Sequence, residues 1–142
     1  MKTSQVGVDL IKKFEGFKRD AYRCPAGRWT IGYGTTHGVT AGMSISVTEA
    51  EDMLREHLQK DEAMLTALQL GLTQAQFDAL MSFIYNVGFS GFVRSGLLKA
   101  IKKDKTSELV ASEWMKWTKA GGKDLPGLAV RRKAELEVYF KD

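Results

Sequence analysis

A glutamate, a cysteine and a threonine fall within one short stretch of the chain, EGFKRDAYRCPAGRWTIGYG, residues 15 to 34. Glu15 closes an apolar helical pattern and is followed by Gly16. Phe14, Phe17, Trp29 and Tyr33 supply aromatic surface near it in sequence. A carboxyl shielded from water beside a cleft can hold a proton and deliver it as a general acid. A lone glutamate near a helix end is more often a solvated side chain. Cys24 lies in a CPAG turn between Arg23 and Arg28. Positive neighbours favour the thiolate, which is a nucleophile or a base; the usual fate of a free cysteine is to be a small buried apolar group. Thr30 lies in RWTIGYG. Period two puts Trp29, Ile31 and Tyr33 on one face and Arg28, Thr30 and Gly32 on the other. Thr30 is therefore a candidate to hold a water in a cleft, although β propensity alone would also place a threonine there.

These residues need elements to position them. Ser4 as N-cap, Val6, Leu10, Ile11 and Phe14 at helical spacing, and Gly16 as a stop predict a helix over residues 4–15. Residues 17–47 hold five glycines, Pro25 and the strand-like runs RWTIGYG and MSISV, which predict a small antiparallel hairpin or sheet. From about residue 48 the pattern is helical. Thr48–Glu51 and Thr73–Gln76 both read as capping boxes. The first opens a helix with Ala50, Met53, Leu54, Leu58 and Met64 as its apolar positions. The second opens QAQFDALMSFIYNVG, apolar almost all round, which marks a central core helix. Shorter helices are expected at about 95–103, 106–118 and 126–140.

Composition sets bounds. At 142 residues one domain is expected, able to bury roughly 70% of its unfolded surface without a metal or disulfide staple. The single cysteine excludes an internal disulfide, and one cysteine with two histidines excludes a Cys₂His₂ zinc site. No cofactor is called for. A net charge of +4 suits a polyanionic partner, but the positive charges are scattered, with KK at 102–103 and RRK at 131–133 the largest local groups. No nucleic-acid motif accompanies them, so no nucleic-acid partner is expected. VGVDLI is too short and too interrupted for a secretory signal, and no apolar run is long enough to span a bilayer. The expectation is synthesis and folding in a cytoplasm, with no stable membrane insertion.

The order Glu15, eight residues, Cys24, five residues, Thr30 resembles the catalytic pattern of the tailed-phage lysozymes, or endolysins, of glycoside hydrolase family 24, in which the middle position is Asp or Cys. FEGFKRDAY, TIGYGTTHGV, AEDMLREHL, FDALMSFIYNVGFSGFVRSGLL and LPGLAVRRKAELEVYF extend the resemblance over nearly the whole chain. It implies an α+β, mostly helical, lysozyme-like fold: a single catalytic domain, 1–142, with a small β-hairpin lobe (about 17–47) and a larger helical lobe (about 48–142) around a cleft. It implies hydrolysis of the β-1,4 bond between N-acetylmuramic acid and N-acetylglucosamine in peptidoglycan. Glu15 would be the acid, Thr30 would position water or substrate, and Cys24 would take the usual Asp position as nucleophile, base or pocket wall. Asp20 is a candidate stand-in for Cys24. Tyr85, Asn86, Ser95 and Arg131 would line the substrate site. Arg131 or Arg132 would meet Glu15 or the wall peptide, with a solvated pair the alternative. For Trp114 and Trp117 core packing is favoured over sugar stacking, and His57 is expected to be exposed. The expected partner is the peptidoglycan glycan strand. A monomer is expected, held in the host cytoplasm until a holin releases it to the wall.

Two rival readings stand beside this one. A thiol hydrolase of wall peptides would use Cys24 as nucleophile and His37 as base. A basic helical module would bind wall without catalysis.

Overall fold

In the computed structural model, which describes residues 1–141, Ser4 precedes helix α1 (Gln5–Glu15) but its side chain does not cap it. Its hydroxyl and its N–H both donate to Asp78, a buried carboxylate, the N–H at 2.9 Å. The first helix is thus fastened to the core at its start. Val8, Leu10 and Ile11 face inward. Val6, expected on that stripe, is 56% exposed, because it lies about 200° round the helix from Val8.

Strands β1 (Lys18–Arg23) and β2 (Trp29–Gly32) form an antiparallel hairpin with Tyr22 opposite Thr30 and Arg23 opposite Trp29. The expected strand at MSISV reduces to one bridge, Ser44 to Asp20. Two residues later the chain already turns into a helix. Ser46 Oγ accepts from Glu49 N at 3.1 Å and Glu49 Oε1 accepts from Ser46 N at 3.0 Å. This capping box sits two residues before the expected one and opens α2 (Val47–Ala67). Its 21 residues span about 30 Å, with Ala50, Leu54, Leu58, Glu62 and Leu65 buried along one side.

The box at Thr73–Gln76 forms where the sequence puts it and opens α3 (Gln74–Val87), in which every residue from Gln76 to Ile84 is buried. After it come α4 (Phe89–Val93), α5 (Gly96–Lys103), α6 (Glu108–Trp114), a second hairpin of β3 (Lys119–Ala120) and β4 (Lys123–Asp124), and α7 (Pro126–Tyr139). α4 and the second hairpin are additions to the expected elements, and α6 is shorter than 106–118. Gly121 and Gly122, at φ 60° and 79°, give the hairpin turn its two positive-φ positions, which the right-handed twist of the strands favours. α3 packs against both α1 and α7, which also touch each other. Gly7 allows that first approach, since a Cβ there would meet Asp78 Cβ at 2.9 Å. Around α3, Phe83 meets Trp114, Trp117 and Phe92 edge-on, with centroids 5.5, 5.7 and 6.1 Å away. The fold is α+β and mostly helical, as the resemblance implied.

Candidate active site

Glu15 is the last residue of α1. Gly16, at φ 71°, ends the helix with its N–H on Lys12 O at 3.0 Å, and the chain leaves toward the first hairpin. Phe17 then packs on Tyr33, ring centroids 5.7 Å apart. The Tyr33 carbonyl accepts from Tyr85 Oη, on α3, at 2.6 Å. Between them stands Gly34 at φ +87°. A Cβ at this position would lie 3.3 Å from Tyr85 Oη and 3.5 Å from Glu15 Oε1. The end of α1, the exit of β2 and α3 therefore converge on the Glu15 carboxyl, and the absent side chain of Gly34 keeps the space beside Oε1 open. Burial first, and then the negative charge of Glu15, push the Tyr85 phenol far above its usual range, against the opposing field of Arg131. Tyr85 is thus a neutral hydrogen-bond donor.

The other carboxyl oxygen is held from α7. Arg131 Nη1 donates to Glu15 Oε2 at 2.6 Å, with the arginine side chain 5% exposed and the glutamate 22%. Its remaining donors are fixed too: Nε on Glu135 Oε2 at 3.2 Å and Nη2 on Ser82 O at 3.1 Å. Arg132 places Nη1 on Glu135 Oε1 at 2.6 Å, Nε on Trp117 O at 2.9 Å and Nη2 on Asn86 Oδ1, with its guanidinium 4.9 Å from the Phe83 ring centroid. Burial draws Arg132 below its ordinary pKa, and Glu135 resists that shift. Glu135 also accepts from Ser82 Oγ at 2.6 Å and Trp114 Nε1 at 3.0 Å. Two arginines and two glutamates thus balance in charge inside the protein, as buried ions must. Neither arginine is solvated.

Cys24 and Thr30 lie on the first hairpin. Hydrogen bonding from the Arg28 backbone, and then from the Thr30 hydroxyl, lowers the Cys24 thiol below its ordinary value. The expected cause, the charge of the flanking arginines, is not the leading one; Arg23 instead stacks on Trp29, 5.2 Å from its centroid. Thr30 is buried, and its one proton goes to Arg28 O at 3.0 Å. Turned to the sulfur, the same hydroxyl stabilises the thiolate. Asp20 is exposed and paired loosely with Arg19 at 3.8 Å.

The remaining sequence candidates separate. Tyr85 and Arg131 meet Glu15 or its immediate surroundings. Asn86 is exposed and occupied on its oxygen by Arg132. Ser95 is buried, its hydroxyl donating to Phe92 O at 2.6 Å and accepting from Leu98 N at 3.2 Å as the cap of α5. Trp114 is fully buried and Trp117 half-buried. His57 is exposed but packs edge-on against Tyr85, centroids 5.4 Å apart. Sequence reasoning missed Gly34, Ser82 and Glu135. The i,i+3 and i,i+4 spacing of Glu135 from Arg132 and Arg131 was the available signal.

The family model for phage lysozymes matches residues 12–135. An endolysin of Acyrthosiphon pisum secondary endosymbiont phage 1 is 43% identical over 98% of both chains. Among solved structures, the muramidase domain of SpmX from Asticaccaulis excentricus is 34% identical, with TM-score 0.90 over 99% of both chains. A mutant of P22 lysozyme is 32% identical, also with TM-score 0.90 over 99% of both chains.

Proposed function

The chain belongs to the phage lysozyme family, and from that premise we propose that it is an endolysin of muramidase type, with Glu15 as the general acid. It is a peptidoglycan-lytic enzyme. The bond we assign to it is the β-1,4 link from N-acetylmuramic acid to N-acetylglucosamine.

One observation carries this reading. Arg131 holds Glu15 Oε2, while Oε1 makes no hydrogen bond among the described residues and faces the space beside Gly34. A proton placed on Oε1 points where a glycosidic oxygen can lie. As it is transferred, the leaving sugar departs and the carboxylate left behind is stabilised in place by Arg131. Such pre-arranged charge stabilisation is the largest single contribution in many enzymes. The second group is Cys24. Its thiolate, favoured by the Arg28 backbone and Thr30, takes a proton from the water that attacks the anomeric carbon. Thr30 positions that pair. Tyr85, whose Oη, like Glu15 Oε1, borders the space left by Gly34, forms the wall against which a sugar ring packs.

The wall-peptidase reading gains no support: His37 is exposed and shows no hydrogen bond to Cys24. Digestion of purified peptidoglycan separates the two, since a muramidase releases new reducing ends and a peptidase new amines. No helix among the described residues is long and apolar enough to cross a membrane. As part of the same family reading, we assign the enzyme to the host cytoplasm as a monomer until a holin-type opening admits it to the wall.

A further inference from the structure

Lys12 lies one turn before Glu15 on α1, so the two side chains share a face of the helix. It touches both sides of the space beside Glu15 Oε1. Its carbonyl accepts from Gly16 N at 3.0 Å and so ends the helix just behind the acid. Its ammonium stands 5.4 Å from the centroid of the Tyr33 ring, which is buried. A cation at that range is attracted by the ring face. Tyr33 in turn offers the carbonyl that holds Tyr85 Oη, and Gly34 follows it directly.

Lys12 is itself held. Its Nζ donates to Glu51 Oε1, on α2, at 2.6 Å. That bond raises the Lys12 ammonium and lowers the Glu51 carboxyl from their ordinary values, in each case against burial, so both remain charged. Glu51 Oε2 accepts from Arg55 Nε at 3.3 Å, and Arg55 Nη2 donates to Gln5 Oε1 at 2.6 Å. The contacts thus leave α1 at Lys12, run along α2 and return to α1 about two turns earlier. The Lys12 and Glu51 side chains are 22% and 26% exposed, and ion pairs this near solvent add little to stability. What Glu51 does is fix a long, flexible side chain over Tyr33. We propose that Lys12 is a positioning residue for proton delivery by Glu15. Anchored on Glu51, it fixes Tyr33, and through Tyr33 the Gly34 gap and Tyr85 Oη, relative to the end of α1. This rests on the reading of Glu15 as the general acid.

The test compares Lys12→Met, Lys12→Arg and Glu51→Gln with the parent on purified peptidoglycan, counting reducing ends. Lys60→Met, at an exposed lysine more than two turns beyond Glu51 on α2, makes the same charge change away from the gap. A misplaced reacting group costs up to about 10²-fold, so Lys12→Met should lower kcat about three- to thirtyfold. KM and the urea midpoint should stay close to the parent's. Lys12→Arg, which can reach Glu51 and lie on the Tyr33 ring, should recover most of the loss. Glu51→Gln should lower kcat too, and combining it with Lys12→Met should be no worse than Lys12→Met alone. Lys60→Met should match the parent. A parent kcat in Lys12→Met, a rise in KM alone, a loss shared by Lys60→Met, or a loss that Lys12→Arg does not recover would each overturn the inference. Should Lys12→Met not fold, Glu51→Gln decides: a lower kcat at the parent's KM supports it, and a parent kcat overturns it. If the parent itself releases no reducing ends, the glycosidase reading fails. The Tyr85 ring signals in NMR spectra of Lys12→Met then decide separately whether Lys12 sets the gap: displaced signals support it, and unmoved signals overturn it.

Discussion

Arg131 Nη1 stands 2.6 Å from Glu15 Oε2, joining residues 116 positions apart. The bond ties the end of α1 to the first half of α7, two helices that both pack on α3. The orientation of the proposed acid therefore depends on how α7 packs, and α7 packs through the same buried ion network. Catalytic geometry and core stability share one set of contacts.

Arg131→Lys tests the geometric half of that link. A lysine ammonium is a point donor and cannot hold Glu15, Glu135 and Ser82 in one plane. Small misplacements of a reacting group cost up to about 10²-fold. We expect kcat to fall about 10- to 100-fold with KM little changed, measured on purified peptidoglycan. An unchanged kcat would confine Arg131 to a structural role.

Glu135→Ala tests the stability half. It leaves two buried guanidinium groups against one carboxylate that is mostly buried, and removes the acceptor of Trp114 Nε1. Breaking a buried pair from one side costs about 3–5 kcal/mol. The urea midpoint should drop by the corresponding amount. Unchanged stability would show that the network adds nothing.

How much of this was legible in the sequence depended on whether a signal was local. The Thr73–Gln76 box and the all-round apolar face of α3 are properties of a dozen adjacent residues, and both read correctly. At the start of α2 the sequence offers two overlapping boxes, Ser46–Glu49 and Thr48–Glu51, and composition does not choose between them. The hydrogen bonds of Ser46 do. Residues 43–47 alternate like a strand, yet the early cap leaves room for one bridge only. The Arg131–Arg132–Glu135 pattern looks like a solvated helix face. Its burial follows from α7 lying on α3, which no short window contains. Glu15, Cys24 and Thr30 were singled out because their spacing resembles the phage-lysozyme catalytic pattern. The Gly34 gap and the Lys12–Glu51 bridge exist only once the chain is folded.

Cys24 carries a prediction in pH. A thiolate base is active above its pKa, so activity should rise as pH rises through the lowered Cys24 value and fall away below it. Cys24→Asp should keep much of the activity and move that acid limb toward the ordinary carboxylate range near ~3.9. Cys24→Ala should lose most of the activity. Alkylation by iodoacetamide should show a lower midpoint for Cys24 than for a free cysteine. Parent-like activity in Cys24→Ala would reduce the residue to packing.

The net charge of +4 predicts a salt dependence. The screening length shrinks from about 30 Å at 0.01 M to about 8 Å at 0.15 M ionic strength. If attraction to anionic envelope polymers gathers the enzyme at the wall, lysis of whole cells should slow several-fold across that range. Cleavage of a soluble neutral glycan should not. Equal sensitivity of both substrates would point to an effect on the fold instead.

The proton on Glu15 is the centre of the account, and Glu15→Gln tests it most directly. Glutamine keeps the size and still accepts from Arg131 but cannot deliver a proton. New reducing ends released from purified peptidoglycan should fall by at least about 10²-fold, the lower range of general-acid contributions, with folding retained by circular dichroism. Release at the parent's rate from a folded Glu15→Gln protein would contradict the assignment.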